Sequence, residues 1–571
     1  MQSAIYTPES YLVSKILVIH MSEKKETEQN VSRRDYLKIT GGAIAGLVVG
    51  GAIGYLAKPT EVVVGPPTGV TTETVTRTLA ETITWLPGMG VSERAVAGAK
   101  QLVASGAVPA GATIKLLHVA GSKNNFEPFF ADWEAKTGTK VEVVTLGGEP
   151  DVLTKAMAEA TAKTGAIDII TIFSTWKGDV IEAGLAKDLT DYYNKYNPEY
   201  GSQYPDTTVI EPLADYTTMY KGKRYAVDLD ADVFTLTYRK DLLGNSDYAS
   251  QFKSKFGYDL KVPDTWEEVK DVSKFFTDLN LKAPDGEKVY GGYFYADPGW
   301  AAFTTWLCIF VSKGGILFSP TDMKAMVNTQ EGIEATQVMA DLVPYMHPDA
   351  LSMDWASLYK RYSEGKAVLT MAWPSLIKWA QDASTSQIVD KSGSALAPGS
   401  KVSVGGKEVL LKAANNPVNW IGIVSNYSKY PELSYLFWQW VTSPVVGAES
   451  VSRVGIMDIF RECWFVPPYR QTFEKAYTPQ FLEVFADCIA HSFPDLMIKG
   501  SSEYLDKLTK NVNAACVKAK TPKAAMDDTA KDWEPITDRL GRDAQLEAWK
   551  SMIPLYPADV QDVWKAKGYL T

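Results

Sequence analysis

Residues 113–173 read TIKLLHVAGSKNNFEPFFADWEAKTGTKVEVVTLGGEPDVLTKAMAEATAKTGAIDIITIF. The apolar run 114–119 predicts a strand. Residues 126–137 have helical spacing, with Phe129, Phe130 and Trp133 on one face. A strand over 140–145, a helix over 149–164 and a buried strand over 167–173 follow, then a short helix over 178–185. This βαβαβ order predicts a mostly parallel, doubly wound sheet. Ligands of such sheets bind beyond the carboxyl ends of the strands, where the loops 120–125 and 174–177 fall.

Outward from this stretch, 233–383 is of mixed type. Strand character returns at 420–424, and helical character at 431–442. Residues 501–518 and 522–546 are amphipathic and are expected to pack on a second lobe. Upstream, 91–105 has helical spacing and ends at Pro109-Ala110-Gly111. Residues 59–84 hold nine threonines with Pro59, Pro66 and Pro67, the composition of a stalk open to glycosylation.

The N-terminus has the charged, apolar, polar order of an export signal. Ser32-Arg33-Arg34-Asp35-Tyr36-Leu37-Lys38 resembles the twin-arginine motif, so Arg33 and Arg34 are the expected signal residues. The apolar run 41–57 follows, and 39–57 is about 28 Å long as a helix at ~1.5 Å per residue. That length just spans a bilayer core, so the segment is either cleaved or kept as an anchor. The basic residues lie before it, which puts the body on the outer side. Met21 opens a tidier signal than Met1 does. No cysteine follows the run, which argues against a lipid anchor.

The 571 residues are too many for one core, and two or three domains are expected. A net charge of −10 argues against a nucleic-acid-binding body, which needs a basic face. Four cysteines (Cys308, Cys463, Cys488, Cys516) form no CxxC pair and cannot build a disulfide scaffold, although Cys463 and Cys488 are a candidate pair. Only four histidines occur, and no HExxH. No metal or cofactor is expected. His118, ending the first strand, reads as a hydrogen-bonded structural residue, and Trp133, Trp379, Trp438 and Trp440 as core. Asn426-Tyr427-Ser428 is a glycosylation sequon.

Three segments carry a family pattern: Arg224-Tyr225-Ala226-Val227-Asp228, then 236–243 (LTYRKDLL), then Pro263-Asp264-Thr265-Trp266-Glu267-Glu268-Val269. In the last, Thr265 and Glu268 have capping-box spacing, and Trp266 reads as packing. Further pieces are Asp168-Ile169-Ile170, 364–368 (EGKAV) leading to Met371-Ala372-Trp373-Pro374, and 420–425 (WIGIVS). In this order the chain resembles the family 1 extracellular solute-binding proteins of ABC importers, the maltose-binding-protein-like group. The likeness is good over 113–450 and looser beyond.

The resemblance implies an α/β, two-lobed, type II periplasmic-binding-protein fold, with doubly wound sheets joined by a hinge and a helical C-terminal part. The expected division is 1–58 signal or anchor, 59–111 stalk and short helix, 112–229 with 418–450 as lobe 1, and 230–417 with 451–571 as lobe 2. It also implies a carbohydrate captured between the lobes, an ABC permease and its ATPase as partners, a monomer, and no catalysis. A sugar site needs aromatic platforms and planar polar groups. Trp373 stands where the family stacks a Trp on sugar, and Asp232 where it has a ligand-binding acid. Thr175 replaces another such acid, flanked by Ser174 and Trp176. Trp300 and Asp297 align loosely with cleft residues. Trp420 opens the returning strand at the cleft, and Arg461 completes the candidates; Asp458 stands where the family often has Pro.

Two other readings remain open. A polyamine or other cationic solute would use Asp228, Asp230, Asp232 and Asp297 with aromatic rings. An extracellular glycosidase would need two opposed carboxyls, for which only Asp232 and Asp297 offer themselves.

Overall fold

A computed structural model describes residues 90–196, 217–416 and 418–570. The export signal, with Arg33 and Arg34, and the Thr-rich segment lie outside the described residues. All the described residues belong to one compact unit, 83–571.

The first sheet of this unit contains five strands: β1 (Thr113–Val119), β2 (Lys140–Leu146), β3 (Ile169–Phe173), β4 (Ala226–Asp228) and, from much later in the chain, β9 (Trp420–Val424). The spatial order is β2-β1-β3-β9-β4. β1 pairs in parallel with β2, Thr113 opposite Lys140, and with β3, Leu116 opposite Ile169. β3 is buried along its whole length, which is why it reads IITIF without alternation. The edge strand β2 alternates Lys, Val and Glu, and is largely exposed.

The sheet is mostly parallel, as expected: β1, β2, β3 and β4 run in one direction, and β9, inserted between β3 and β4, is the exception. β9 runs antiparallel to both β3 and β4, with Trp420 opposite Phe173 and Ile421 opposite Asp228. The reason is the chain path. β9 is entered from the segment that leaves the second sheet, at the carboxyl edge of β3, and a strand entered there must run the other way.

The second sheet has the order β8-β5-β7-β6, from β5 (Thr235–Arg239), β6 (Tyr290–Tyr293), β7 (Ala367–Ala372) and β8 (Ser392–Ala395). The β6–β7 pairing is parallel, and β5 runs antiparallel to both its neighbours, β7 and β8. The chain passes between the sheets through 229–234, and returns through 412–419.

Helices cover the sheets with their apolar faces. Pro431–Val441 lies on the first sheet, where the Trp438 indole N–H donates to Ile423 O at 3.1 Å. Trp133 packs against Phe437 and Trp440, at 5.5 and 5.3 Å between rings. Trp133, Trp438 and Trp440 are fully buried core residues. Trp379 is half-buried and donates to Gly455 O at 3.3 Å. Val91–Ala104 packs onto Pro431–Val441 so closely that a Cβ at Gly98 would come 3.1 Å from Leu436 and 2.6 Å from the Tyr196 ring.

Two local expectations need correcting. The Thr265 hydroxyl accepts from Glu268 N at 3.2 Å, but the Glu268 carboxylate returns its bond to Asp264 N at 2.7 Å, one residue before the cap. The extended backbone at Thr265 leaves the preceding N–H the better placed donor. The expected helix 522–546 is two helices, Pro522–Leu540 and Arg542–Met552, broken at Gly541 with φ +91°.

The C-terminal helices bury Trp533, Trp549 and Trp564. The indole N–H groups of Trp549 and Trp564 donate to Phe318 O and Gly315 O at 2.9 and 3.0 Å. These helices also reach the first sheet's loops: Gly500 N donates to Asp179 Oδ1 at 2.8 Å, and the Ser501 hydroxyl to Thr175 O. They therefore do not pack on the second sheet's side alone.

All four cysteines are buried, and no Cys463–Cys488 disulfide is formed. Burial pushes the Cys308 thiol up to about 12. Asn426 of the sequon is exposed, but its amide donates to Gly184 O and Ala186 O at 3.0 and 3.1 Å.

His118 is fully buried between Ser122 Oγ at 2.9 Å and Thr145 Oγ1 at 3.1 Å, as expected of a structural histidine. Burial lowers its pKa to about 4. The unfolded chain therefore takes up this proton more readily. Stability from this group is complete above pH ~6.5 and falls as pH drops towards 4, by about 3 kcal/mol at most. Urea titrations of the wild type and His118→Asn between pH 4 and 8 should converge as the pH falls; parallel curves would refute this.

Candidate functional site

The carboxyl ends of β3 and β7 open onto one pocket, whose free space together with the open solvent at its mouth is about 310 Å³. Each wall residue is placed by an element end. Phe173 ends β3, and Trp420, its register partner, begins β9. Trp373 follows β7, and Ser375 opens the helix Ser375–Gln381. Trp300 lies just before the helix Ala302–Ser312. Glu149 is the first residue of Glu149–Ala162, after the Gly147-Gly148 turn that follows β2. Trp355 and Tyr359 lie one turn apart on Trp355–Ser363. Asp232 comes from the passage between β4 and β5, while Val418 and Ile456 close the remaining sides.

The rings make a continuous wall from one sheet to the other. Phe173 lies 4.5 Å from Trp420 and 5.2 Å from Trp300, and Trp300 lies 5.6 Å from Trp373. Trp373 is braced behind by Phe234 at 4.9 Å and Tyr295 at 5.4 Å. Trp355 packs edge-on to Tyr359 at 5.3 Å.

Two carboxylic acids face this wall. Glu149 Oε1 accepts from the Trp355 indole N–H at 3.2 Å, and burial raises its pKa above the ordinary carboxylate value. Asp232 is held by its own backbone N–H, which donates to Asn419 Oδ1 at 2.8 Å. Burial, then the neighbouring charges of Asp230 and Asp458, push its carboxyl well up.

Behind Asp232 lies a buried charge cluster. Asp230, Asp232 and Asp458 each place a carboxylate oxygen within 4.8 Å of the others. Lys378 Nζ lies 3.6 Å from Asp458 Oδ1, donates to Val451 O at 2.9 Å and also bonds Met457 O. Asp458 further accepts from Tyr477 Oη at 2.5 Å and Ser375 N at 2.8 Å. Asp458 N donates to Asp230 Oδ1 at 2.6 Å. The aspartate at 458, unlike the Pro common in the family pattern, therefore ties the helix after Trp373 to the passage carrying Asp232. One ammonium faces three acids, and burial lowers the Lys378 pKa while raising those of the acids.

Of the nine candidate ligand residues, the structure brings four to the pocket: Trp373, Asp232, Trp420 and Trp300. The other five do not line it. Trp176 is buried against the far side of Phe173, at 4.5 Å. Ser174 is buried and donates its backbone N–H to Asn419 O at 2.8 Å, and Thr175 O accepts from Ser501. Asp297 is buried, accepts from Gly299 N at 2.9 Å and has its pKa raised to about 6 by burial. Arg461 donates to Thr442 O at 2.7 Å, and its charge acts on the buried Asp228 instead.

Sequence reasoning missed Glu149, Trp355, Tyr359, Ser375 and Phe173. Glu149 carried a signal, since it follows a Gly-Gly turn at the carboxyl end of β2. Trp355 and Tyr359, four residues apart, have the spacing of any core-facing helix pair.

Among the described residues no helix is long and apolar enough to cross a membrane. Residues 120–448 match the family described as "Bacterial extracellular solute-binding protein", which is more than half of the chain. Solved structures of similar fold include a solute-binding protein of Agrobacterium radiobacter K84 in complex with ribitol. It is 24% identical over 75% of this chain and 100% of its own, with a TM-score of 0.63. Maltose-bound MalE3 of T. maritima is 17% identical over 74% of this chain and 100% of its own, at 0.61. The Listeria monocytogenes protein in complex with cycloalternan is 18% identical over 75% and 99%, at 0.58. These likenesses agree with the two-lobed α/β fold implied by the sequence, and the chain belongs to the bacterial extracellular solute-binding protein family.

Proposed function

We propose that the protein captures a carbohydrate between two lobes outside the cytoplasm and delivers it to an ABC permease driven by its ATPase. The lobes are 112–229 with 418–450 and 230–417 with 451–571. The chain crosses between them three times, at 229–234, at 412–419 and after 450, and hinge closure at these crossings would enclose the ligand. The observation that carries the reading is the pocket itself: aromatic rings from both sheets facing two carboxylic acids. Sugars present apolar C–H faces to rings and hydroxyls to carboxylates. Trp373, Trp300 and Trp420 would stack, and Asp232 and Glu149 would accept from hydroxyls. The complexes of similar fold with ribitol, maltose and cycloalternan support this ligand class.

Export would use Arg33 and Arg34, with the apolar segment either cleaved or kept as a tether, and the body acting as a monomer. Binding alone would be its activity. Asp297 does not line the pocket, so the Asp232–Asp297 pair named for a glycosidase is not assembled there.

The test is tryptophan fluorescence and thermal shift of the purified protein against monosaccharides, polyols and oligosaccharides. One sugar class should give a saturable change. Ligand at 100 times its Kd should stabilise the native state by about 2.7 kcal/mol. Silence across all three classes, with a response to amino acids or peptides, would overturn the reading.

A further inference from the structure

We propose that the sugar or polyol taken by this pocket carries a protonated amine, with the ammonium held by Glu149 and Asp232 against the tryptophan wall. The inference rests on the carbohydrate reading and narrows it.

The polar lining is rich in acceptors and poor in donors. It consists of Glu149, Asp232, Ser375 and the Tyr359 hydroxyl, with no Lys, Arg, His, Asn or Gln among the described residues. Ser375 Oγ and Tyr359 Oη bond each other at 2.7 Å, and the Trp355 N–H is spent on Glu149. Besides indole N–H groups, the lining side chains offer ligand oxygens the one hydroxyl proton that the Ser375–Tyr359 bond leaves over. A neutral sugar brings more acceptor sites than donors, since each hydroxyl has one proton and two lone pairs, and its acceptors would go short here. An ammonium brings three donors and no acceptor.

The charge balance points the same way. Glu149 is 7% exposed and Asp232 2%, and Asp232 is hydrogen-bonded to the Asp230 carboxyl, so that it, Asp230 and Asp458 have one buried ammonium, Lys378, among them. Buried acids that outnumber their counter-charges are costly, and a cation in the pocket would relieve that cost. Lys378 does not meet the need, because its charge is shared among Asp230, Asp232 and Asp458 and its protons go to backbone carbonyls. Indole faces attract cations through the ring quadrupole, so the walls favour the same group that the acids do.

The experiment is calorimetry at pH 6.5 on matched pairs: D-glucose and D-glucosamine, D-galactose and D-galactosamine, D-sorbitol and D-glucamine. The N-acetylated amino sugars serve as neutral controls of similar shape, and putrescine and choline as amines without a sugar. In the pair that fits, the amine should bind about 30-fold or more tightly than its neutral partner. The N-acetyl form should show no gain, and Glu149→Gln with Asp232→Asn should bring the two members of the pair together. If the double variant fails to fold by circular dichroism, Glu149→Gln alone should remove most of the preference. A neutral member binding as well as its amine would overturn the inference and leave the carbohydrate reading standing. Binding of putrescine or choline with no sugar response would overturn both, as would no binding by any probe.

Discussion

Lys378→Met should destabilise the protein by about 3–5 kcal/mol at pH 8, because it leaves buried carboxylates without their counter-charge. Lys378 is 1% exposed and Asp458 fully buried, so water cannot take over the role. The loss should depend on pH in a definite direction. Burial and mutual repulsion raise the folded pKa of Asp230, Asp232 and Asp458 above their unfolded values. Groups of that kind contribute most at low pH and lose their contribution as pH rises through the folded pKa. Removing the ammonium raises those values further. The deficit relative to wild type should therefore be largest at pH 8 and shrink towards pH 5. Adding Asp458→Asn should recover part of it, since one fewer charge then needs a partner. Urea denaturation at the two pH values, with both variants, measures this. An equal deficit at pH 5 and 8 would show that Lys378 acts by packing its stem and not by its charge.

Trp373→Ala should weaken ligand binding by about 2–4 kcal/mol, or roughly 30- to 1000-fold. Trp373 sits mid-wall, 5% exposed, touching Trp300 on one side and Phe234 and Tyr295 on the other. Truncation removes a stacking face and lets the Trp300 ring drift. It also opens a cavity against the second sheet, so a stability cost of about 3–5 kcal/mol accompanies it. Trp373→Phe separates the two effects. It keeps a ring and most of the packing, and should bind within about tenfold of wild type if stacking is the main contribution. Calorimetry with the best sugar of the fluorescence panel, on variants shown folded by circular dichroism, decides the point. Wild-type affinity in Trp373→Ala would remove Trp373 from the site.

Much of the site's location was legible before any coordinates. The alternation over 113–173 places ligand loops at the carboxyl ends of strands, and the pocket opens there. Trp373 and Asp232 were reached through their place in a family pattern, Trp420 through its place at the start of a returning strand. Ser174, Thr175 and Trp176 show the limit of that reasoning. They occupy the right loop, yet Trp176 turns behind Phe173, and the C-terminal helices cover Thr175 through Ser501. Those helices fall beyond the stretch where the family pattern is clear, so the covering had no local signal. Arg461 likewise stands near the site in sequence terms, but turns its charge to Asp228.

By itself the sequence determined what depends on near neighbours along the chain. The strand-helix alternation of 113–173, the all-apolar β3, the cap at Thr265 and the core role of Trp438 all follow from side-chain period, burial preference and backbone hydrogen bonding within a few residues. Tertiary structure decided whatever depends on how far apart two segments end up. It set the direction of β9, because the chain re-enters the first sheet at the carboxyl edge of β3. It joined Glu149 to Trp355 across 206 residues. It also gathered Asp230, Asp232, Lys378 and Asp458 into one buried cluster, whose energetics are collective. No window of sequence contains all four.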